Sequence, residues 1–136
     1  MDGDDEDQRT LLEEVIRVGN LQELRTHVLR LAQQAGLDEQ RAQDFAVAVN
    51  EAAVNVIRHA RGGGELNVVQ DDERRLIAEI CDNGPGIPAW VTLTLPPPDA
   101  TSGRGLWMAG VLTDNIEVRT GGRGTTVRLE MVLQEP

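Results

Sequence analysis

Not one lysine occurs among the 136 residues: all 13 basic side chains are arginine. That absence excludes a Walker-type phosphate loop, whose lysine reaches the phosphates, and equally a Schiff base or a lysine general base. Cysteine is almost missing too. Cys81 stands alone and can close no disulfide within the chain, and with His27 and His59 it makes no metal-ligand cluster of recognisable spacing. No apolar run approaches the roughly 20 residues that span a bilayer. The acidic N-terminus is the reverse of a signal peptide's basic one, so no membrane partner and a cytoplasmic location are expected.

Positive charge is also scarce, with 23 acids against the 13 arginines and a formal charge of -10. Asp2, Asp4, Asp5, Glu6 and Asp7 carry half of that excess in a stretch with nothing apolar beyond Met1. Residues 1–9 therefore read as a disordered acidic tail and residues 10–136 as a single domain. The domain stays acidic without the tail. This argues against a nucleic acid held by phosphate neutralisation and for a basic or mixed-charge protein partner.

Hydrophobic period then places the elements. Thr10 to Val18 reads as an edge strand in preference to a helical lead-in, and Asn20 caps a helix in which Leu24, Val28, Leu31, Ala32 and Ala35 recur until Gly36. Asp38 caps a longer helix with Ala42, Phe45, Ala46, Val49, Ala52, Ala53, Val56 and Ile57 as its buried stripe, stopped by Gly62-Gly63-Gly64. A hairpin follows, from Glu65 to Gln70 and from Arg74 to Cys81 around a turn at Asp71-Asp72-Glu73, in which Leu76, Ala78 and Ile80 alternate with Ile77, Glu79 and Cys81. Pro96-Pro97-Pro98 forbids regular structure between Ile87 and Thr101 and marks a lid-like loop. A short helix from Leu106 to Leu112, a strand from Asn115 to Thr120, a turn over Gly121 to Gly124 and a final strand from Thr125 to Leu133 complete the chain. The expected class is α+β: a two-layer sandwich with helices on one face of a mixed, mainly antiparallel sheet.

Four short motifs lie on this framework in a fixed order. Glu51, Asn55 and His59 stand at i, i+4 and i+8, a polar line beside the apolar stripe of the long helix. A solvated helix face is the plain alternative, but Asn55 is a poor helix former whose amide is best explained by a ligand. Asp82-Asn83-Gly84-Pro85-Gly86 ends a strand in a turn stripped of bulk, which lets a flat ligand approach the main chain; an ordinary turn has the same residues. Ser102-Gly103-Arg104-Gly105-Leu106 opens a helix, where backbone N–H groups favour anionic phosphate. Gly124-Thr125-Thr126 starts the last strand with a hydroxyl facing the same pocket.

NEAAVN, DNGPGIP, SGRGL and GTTVRL together resemble the Bergerat-type ATP-binding fold shared by gyrase, histidine kinases and MutL proteins. The similarity runs from about residue 20 to residue 132. The compact form most resembles the bacterial serine-protein kinases that double as anti-sigma factors. That resemblance implies ATP and Mg2+ as cofactors. Asn55 would ligate Mg2+, with phosphate oxygens and water completing the shell, and Glu51 would be the general base toward the attacking hydroxyl. It implies that Asp82 accepts a hydrogen bond from the adenine amino group, that Gly84 and Gly86 admit the nucleotide closely, and that Thr125 closes the adenine pocket. Ser102, Gly103, Arg104, Gly105 and Leu106 would form the phosphate box. Arg25 matches the arginine such kinases use to contact partners, and His59 the histidine that ends their long helix as a cap or a support for the site.

One departure stands out: the segment from Ile87 to Ser102 contains no basic residue. Three functions are therefore carried forward. The first is an anti-sigma serine kinase that binds a sigma factor and phosphorylates an anti-anti-sigma antagonist of the STAS type, with a homodimer allowed. The second is an ATP-binding interaction module, weak or inactive in turnover, within a partner-switching pathway. The third, a histidine-kinase or DNA-topology ATPase domain, is disfavoured because residues 1 to 19 cannot supply a phospho-acceptor helix and no lysine is present.

Overall fold

The computed structural model describes residues 8–59, 63–82, 104–121 and 124–133. The strands are β1 (Gln8–Ile16), β2 (Gly64–Asp71), β3 (Arg75–Asp82), β4 (Asn115–Gly121) and β5 (Gly124–Val132). The helices are α1 (Leu21–Ala35), α2 (Glu39–His59) and α3 (Arg104–Leu112), with a 3-10 turn at Val18–Asn20. The strands form one sheet in the order β1-β2-β3-β5-β4, and every neighbouring pair is antiparallel. The α+β reading holds, with no parallel pair among the described strands. The proline-rich loop expected between Ile87 and Thr101 lies outside the described residues.

Alternation builds the sheet's inner face. Leu66 and Val68 from β2, Leu76, Ala78 and Ile80 from β3, and Val127, Leu129 and Met131 from β5 are buried and belong to one core. Against them α2 lays Ala42, Phe45, Ala46, Val49, Ala52, Ala53 and Val56, all buried. Four alanines in that stripe keep the helix close to the strands. Phe45, fully buried, contributes on the order of 2–3 kcal/mol of transfer free energy. α1 and α3 flank α2 and pack against it.

The helix ends follow their cap chemistry in two cases of three. Gly36 ends α1 at φ 113°, a left-handed value that favours glycine, and Asp38 Oδ1 accepts from the Arg41 amide at 2.8 Å at the start of α2. Asn20 sits at the N-cap position of α1 but does not cap it. Its side chain turns back, accepting from the Arg17 amide and donating to the Val15 carbonyl, so it organises the 3-10 turn instead.

The hairpin departs from expectation at two points. Arg74, read as the first strand residue, sits in the turn at φ 62°. Asp71, read as a turn residue, ends β2 and is buried; it accepts from the Glu73 and Arg75 amides and from Arg75 Nε, which shapes the turn. Ile77 points away from the helices as the alternation requires, yet it too is fully buried. Its register partners are Val69 and Glu130, and the ion pairs of Glu130 with Arg75 and Arg128 draw long side chains across that face.

Candidate functional site

Chain geometry brings three of the four motifs to one end of the α2–sheet interface. Gly64 has Val56 Cγ1 where an added Cβ would come within 3.0 Å, and that Cβ would also collide with the Cys81 carbonyl. α2 therefore presses directly on the sheet one residue past Asn55. Gly64 pairs in register with Asp82, so this close approach falls at the end of β3 that carries the second motif.

Asp82 and Thr125 are neighbours in that end of the sheet. Cys81 pairs with Thr126, which places Asp82 and Thr125 one residue further along adjacent antiparallel strands. Both belong to the helix-facing set and are 5% and 3% exposed. A carboxylate and a hydroxyl are thus buried side by side where β3 leaves the sheet. On the opposite face the Thr126 hydroxyl donates to Cys81 Sγ at 3.7 Å, and Cys81 is a half-buried free thiol.

Asn55 completes the buried polar group. It is only 7% exposed, and its Nδ2 finds no hydrogen-bond partner among the described residues. A buried amide donor left without a partner costs on the order of 1–3 kcal/mol, which a ligand would relieve. Glu51, one helical turn earlier, is half-buried and borders the same side of α2. This pairs a buried amide with an accessible carboxylate along one helix line.

The remaining expected residues fall differently. Arg104, Gly105 and Leu106 form the first turn of α3; Leu106 is fully buried in the core, so it anchors the helix by packing. Gly84, Gly86, Ser102 and Gly103 lie outside the described residues. His59 is the last residue of α2. Arg25 is exposed on α1, between the buried Leu24 and Val28. His27, on the same helix, contacts Glu14 of β1 at 2.5 Å and so ties α1 to the edge strand.

Sequence reading missed one polar junction. Arg41, in the first turn of α2, forks onto Asp114: Nη1 donates to Oδ1 at 3.3 Å and Nη2 to Oδ2 at 2.7 Å. Nη2 also donates to the Val132 carbonyl, and the Val132 amide donates to Asp114 Oδ2. The Arg41 guanidinium, bonded to it, holds the Asp114 carboxyl below its ordinary pKa, aided by the Val132 amide; Asp114 in turn raises Arg41. A separation of 73 residues leaves no local signal for this pair.

Among the described residues no group of three or more His, Cys, Asp or Glu side chains could hold a metal ion, and no helix is long and apolar enough to cross a membrane.

The helix-covered antiparallel sheet thus carries a buried carboxylate, hydroxyl and amide toward one end. The chain belongs to the histidine kinase-like ATPase domain family, whose model matches residues 16–131. No curated protein sequence matches it. Among solved structures it is similar to the RsbU and RsbW domains of Rv1364c from Mycobacterium tuberculosis, with a TM-score of 0.70 and 20% identity over 92% of this chain and 33% of that one. It is also similar to full-length ShkA in complex with AMPPNP, with a TM-score of 0.58 and 18% identity over 89% of this chain and 31% of that one. The chain thus spans about a third of each of these structures, and the likeness is one of fold.

Proposed function

We propose that the chain is an ATP-dependent serine-protein kinase acting as an anti-sigma factor. It would bind a sigma factor and phosphorylate an anti-anti-sigma antagonist of the STAS type. The observation that carries this reading is the buried, unpartnered Asn55 amide one turn from the accessible Glu51. Family membership, which brings adenine nucleotide as the ligand class, supports it. So does the likeness to a structure containing an RsbW domain and to one solved with AMPPNP.

In this reading Asp82, buried beside Thr125, accepts from the adenine amino group, which selects adenine over guanine. The start of α3 offers backbone amides to the phosphates. Mg2+ would be held through the oxygen of the buried Asn55 amide and would neutralise phosphate charge, while the unpartnered Asn55 Nδ2, a donor, would be met by a phosphate oxygen. Glu51 orients the serine hydroxyl of the antagonist and takes its proton. As the serine oxygen bonds to the γ-phosphorus, the bond from that phosphorus to the bridging oxygen breaks and ADP leaves. Exposed Arg25 on α1 is a contact point for the protein partners. The partner surface engages no nucleic acid, and a cytoplasmic location suits such a regulator.

The deciding experiment incubates the protein with γ-labelled ATP, Mg2+ and candidate STAS-type proteins. Label on a serine of the antagonist, lost in Glu51→Gln, supports the kinase. ATP binding by calorimetry with no labelling of any antagonist favours the catalytically weak interaction module, a reading that the absence of basic residues between Ile87 and Ser102 keeps in contention.

A further inference from the structure

We infer that the Arg41–Asp114 fork is a positioning clamp for the nucleotide site, acting at the far ends of the two helices that form it. This rests on the reading that α2 and the start of α3 hold the triphosphate. α2 and α3 pack against each other. The fork joins the beginning of α2 to the turn just past the end of α3. The two helices therefore start from a common point and reach the site from it. At 1.5 Å per residue, the nine residues of α3 span about 14 Å, and the ten steps from Arg41 to Glu51 span about 15 Å. With the ends clamped, the first turn of α3 can lie level with Glu51.

The junction has more bonds than a surface ion pair needs. Asp114 accepts from the Val132 amide at 2.7 Å and its own amide donates to the Glu130 carbonyl at 3.0 Å, which locks the turn to β5. The Thr113 hydroxyl donates to the Ala109 carbonyl at 2.8 Å, which locks the same turn to the last turn of α3. Arg41 is held in turn by its amide on Asp38 and by the field of Asp38 and Asp44. Every force on α3 at its C-terminal end is thus referred to the first turn of α2. Adenine recognition depends on this linkage less, because Asp82 sits on β3, outside the junction, and Thr125 lies at the opposite end of β5 from Val132. The phosphate contacts do depend on it, because they are shared between the two helices.

The clamp therefore tunes phosphate recognition separately from adenine recognition. Asp114→Asn retains an acceptor for the Val132 amide and loses the ionic fork, and Arg41→Gln removes the fork from the other side. Affinities for Mg-ATP and for adenosine are measured by NMR titration on the wild type, both variants and the double variant, with folding checked by thermal unfolding. In the wild type, ATP is expected to bind more tightly than adenosine. Each single variant is expected to narrow that preference about tenfold, a size set by small displacements of reacting groups, and the double variant narrows it no further because the pair acts as one unit. An unchanged ATP-to-adenosine preference in both folded single variants overturns the proposal, as does an equal loss of both ligands. A wild type that binds no ATP overturns the site reading itself.

Discussion

In the proposed site, Asn55 sets function against stability within one side chain. A buried amide with an unmatched donor costs the free protein on the order of 1–3 kcal/mol, and asparagine is a weak helix former at that position. Asn55→Ala is therefore expected to raise the melting temperature of the nucleotide-free protein, by a gain on the order of 1 kcal/mol, while calorimetry shows Mg-ATP binding abolished. A free protein made less stable by the change would mean that the amide is satisfied and structural. Glu51 behaves in the opposite way. It is half-buried on the solvent side of the Asn55 line, so Glu51→Gln should bind Mg-ATP within a few-fold of wild type yet lose about a hundredfold or more in phosphoryl transfer. Equal losses in binding and transfer would move Glu51 from chemistry to nucleotide seating.

At the scale of elements, the site depends on how closely α2 lies on the sheet. Gly64 is the contact point, since an added Cβ would meet both the Cys81 carbonyl and Val56 Cγ1. Gly64→Ala is expected to destabilise the fold by about 2–3 kcal/mol, read from urea unfolding, because the clash involves backbone that cannot turn aside. The junction of α2, α3 and β5 has a pH signature. Arg41 holds the Asp114 carboxyl below 3.8, so its share of stability is present above that value and is lost as pH falls through the lower folded value. Both partners are partly solvated, and the share is at most about 1 kcal/mol. Asp114→Asn should flatten the acid limb of the stability profile below pH 4 by that amount; an unchanged limb would locate acid sensitivity elsewhere.

These same elements separate what the chain declares locally from what only folding reveals. The stripe from Ala42 to Val56, the hairpin alternation and the Gly36 and Asp38 caps are short-range signals, and each appears in place. Glu51 and Asn55 were legible because one helix carries both. Asp82 and Thr125 were legible as motifs, but their adjacency rests on strand register across 42 intervening positions. Arg41 and Asp114 were not legible at all, as each looks like an ordinary surface charge until the helices pack. The burial of Ile77 was not legible for a related reason: alternation assigns a residue to a face, and burial on that face is decided by the arginines and glutamates that cross it.

For the molecule as a whole, nucleotide binding and stability are one equilibrium. The proposed site takes one wall from α2 and another from β3 and β5, so a nucleotide that bridges them would bind only the folded chain. Mass action then requires that Mg-ATP at a hundred times its dissociation constant adds about 2.7 kcal/mol to unfolding. For a chain of 136 residues this corresponds to a rise in melting temperature of roughly 5–10 °C. Asn55→Ala should show no rise, and Asp114→Asn a smaller one, because it keeps the adenine contacts and loosens only those to phosphate. Guanosine triphosphate should leave the wild type unmoved if Asp82 reads the adenine amino group. A wild type whose melting temperature is the same with ATP, with guanosine triphosphate and without nucleotide would leave the buried amide, carboxylate and hydroxyl with no ligand to explain them.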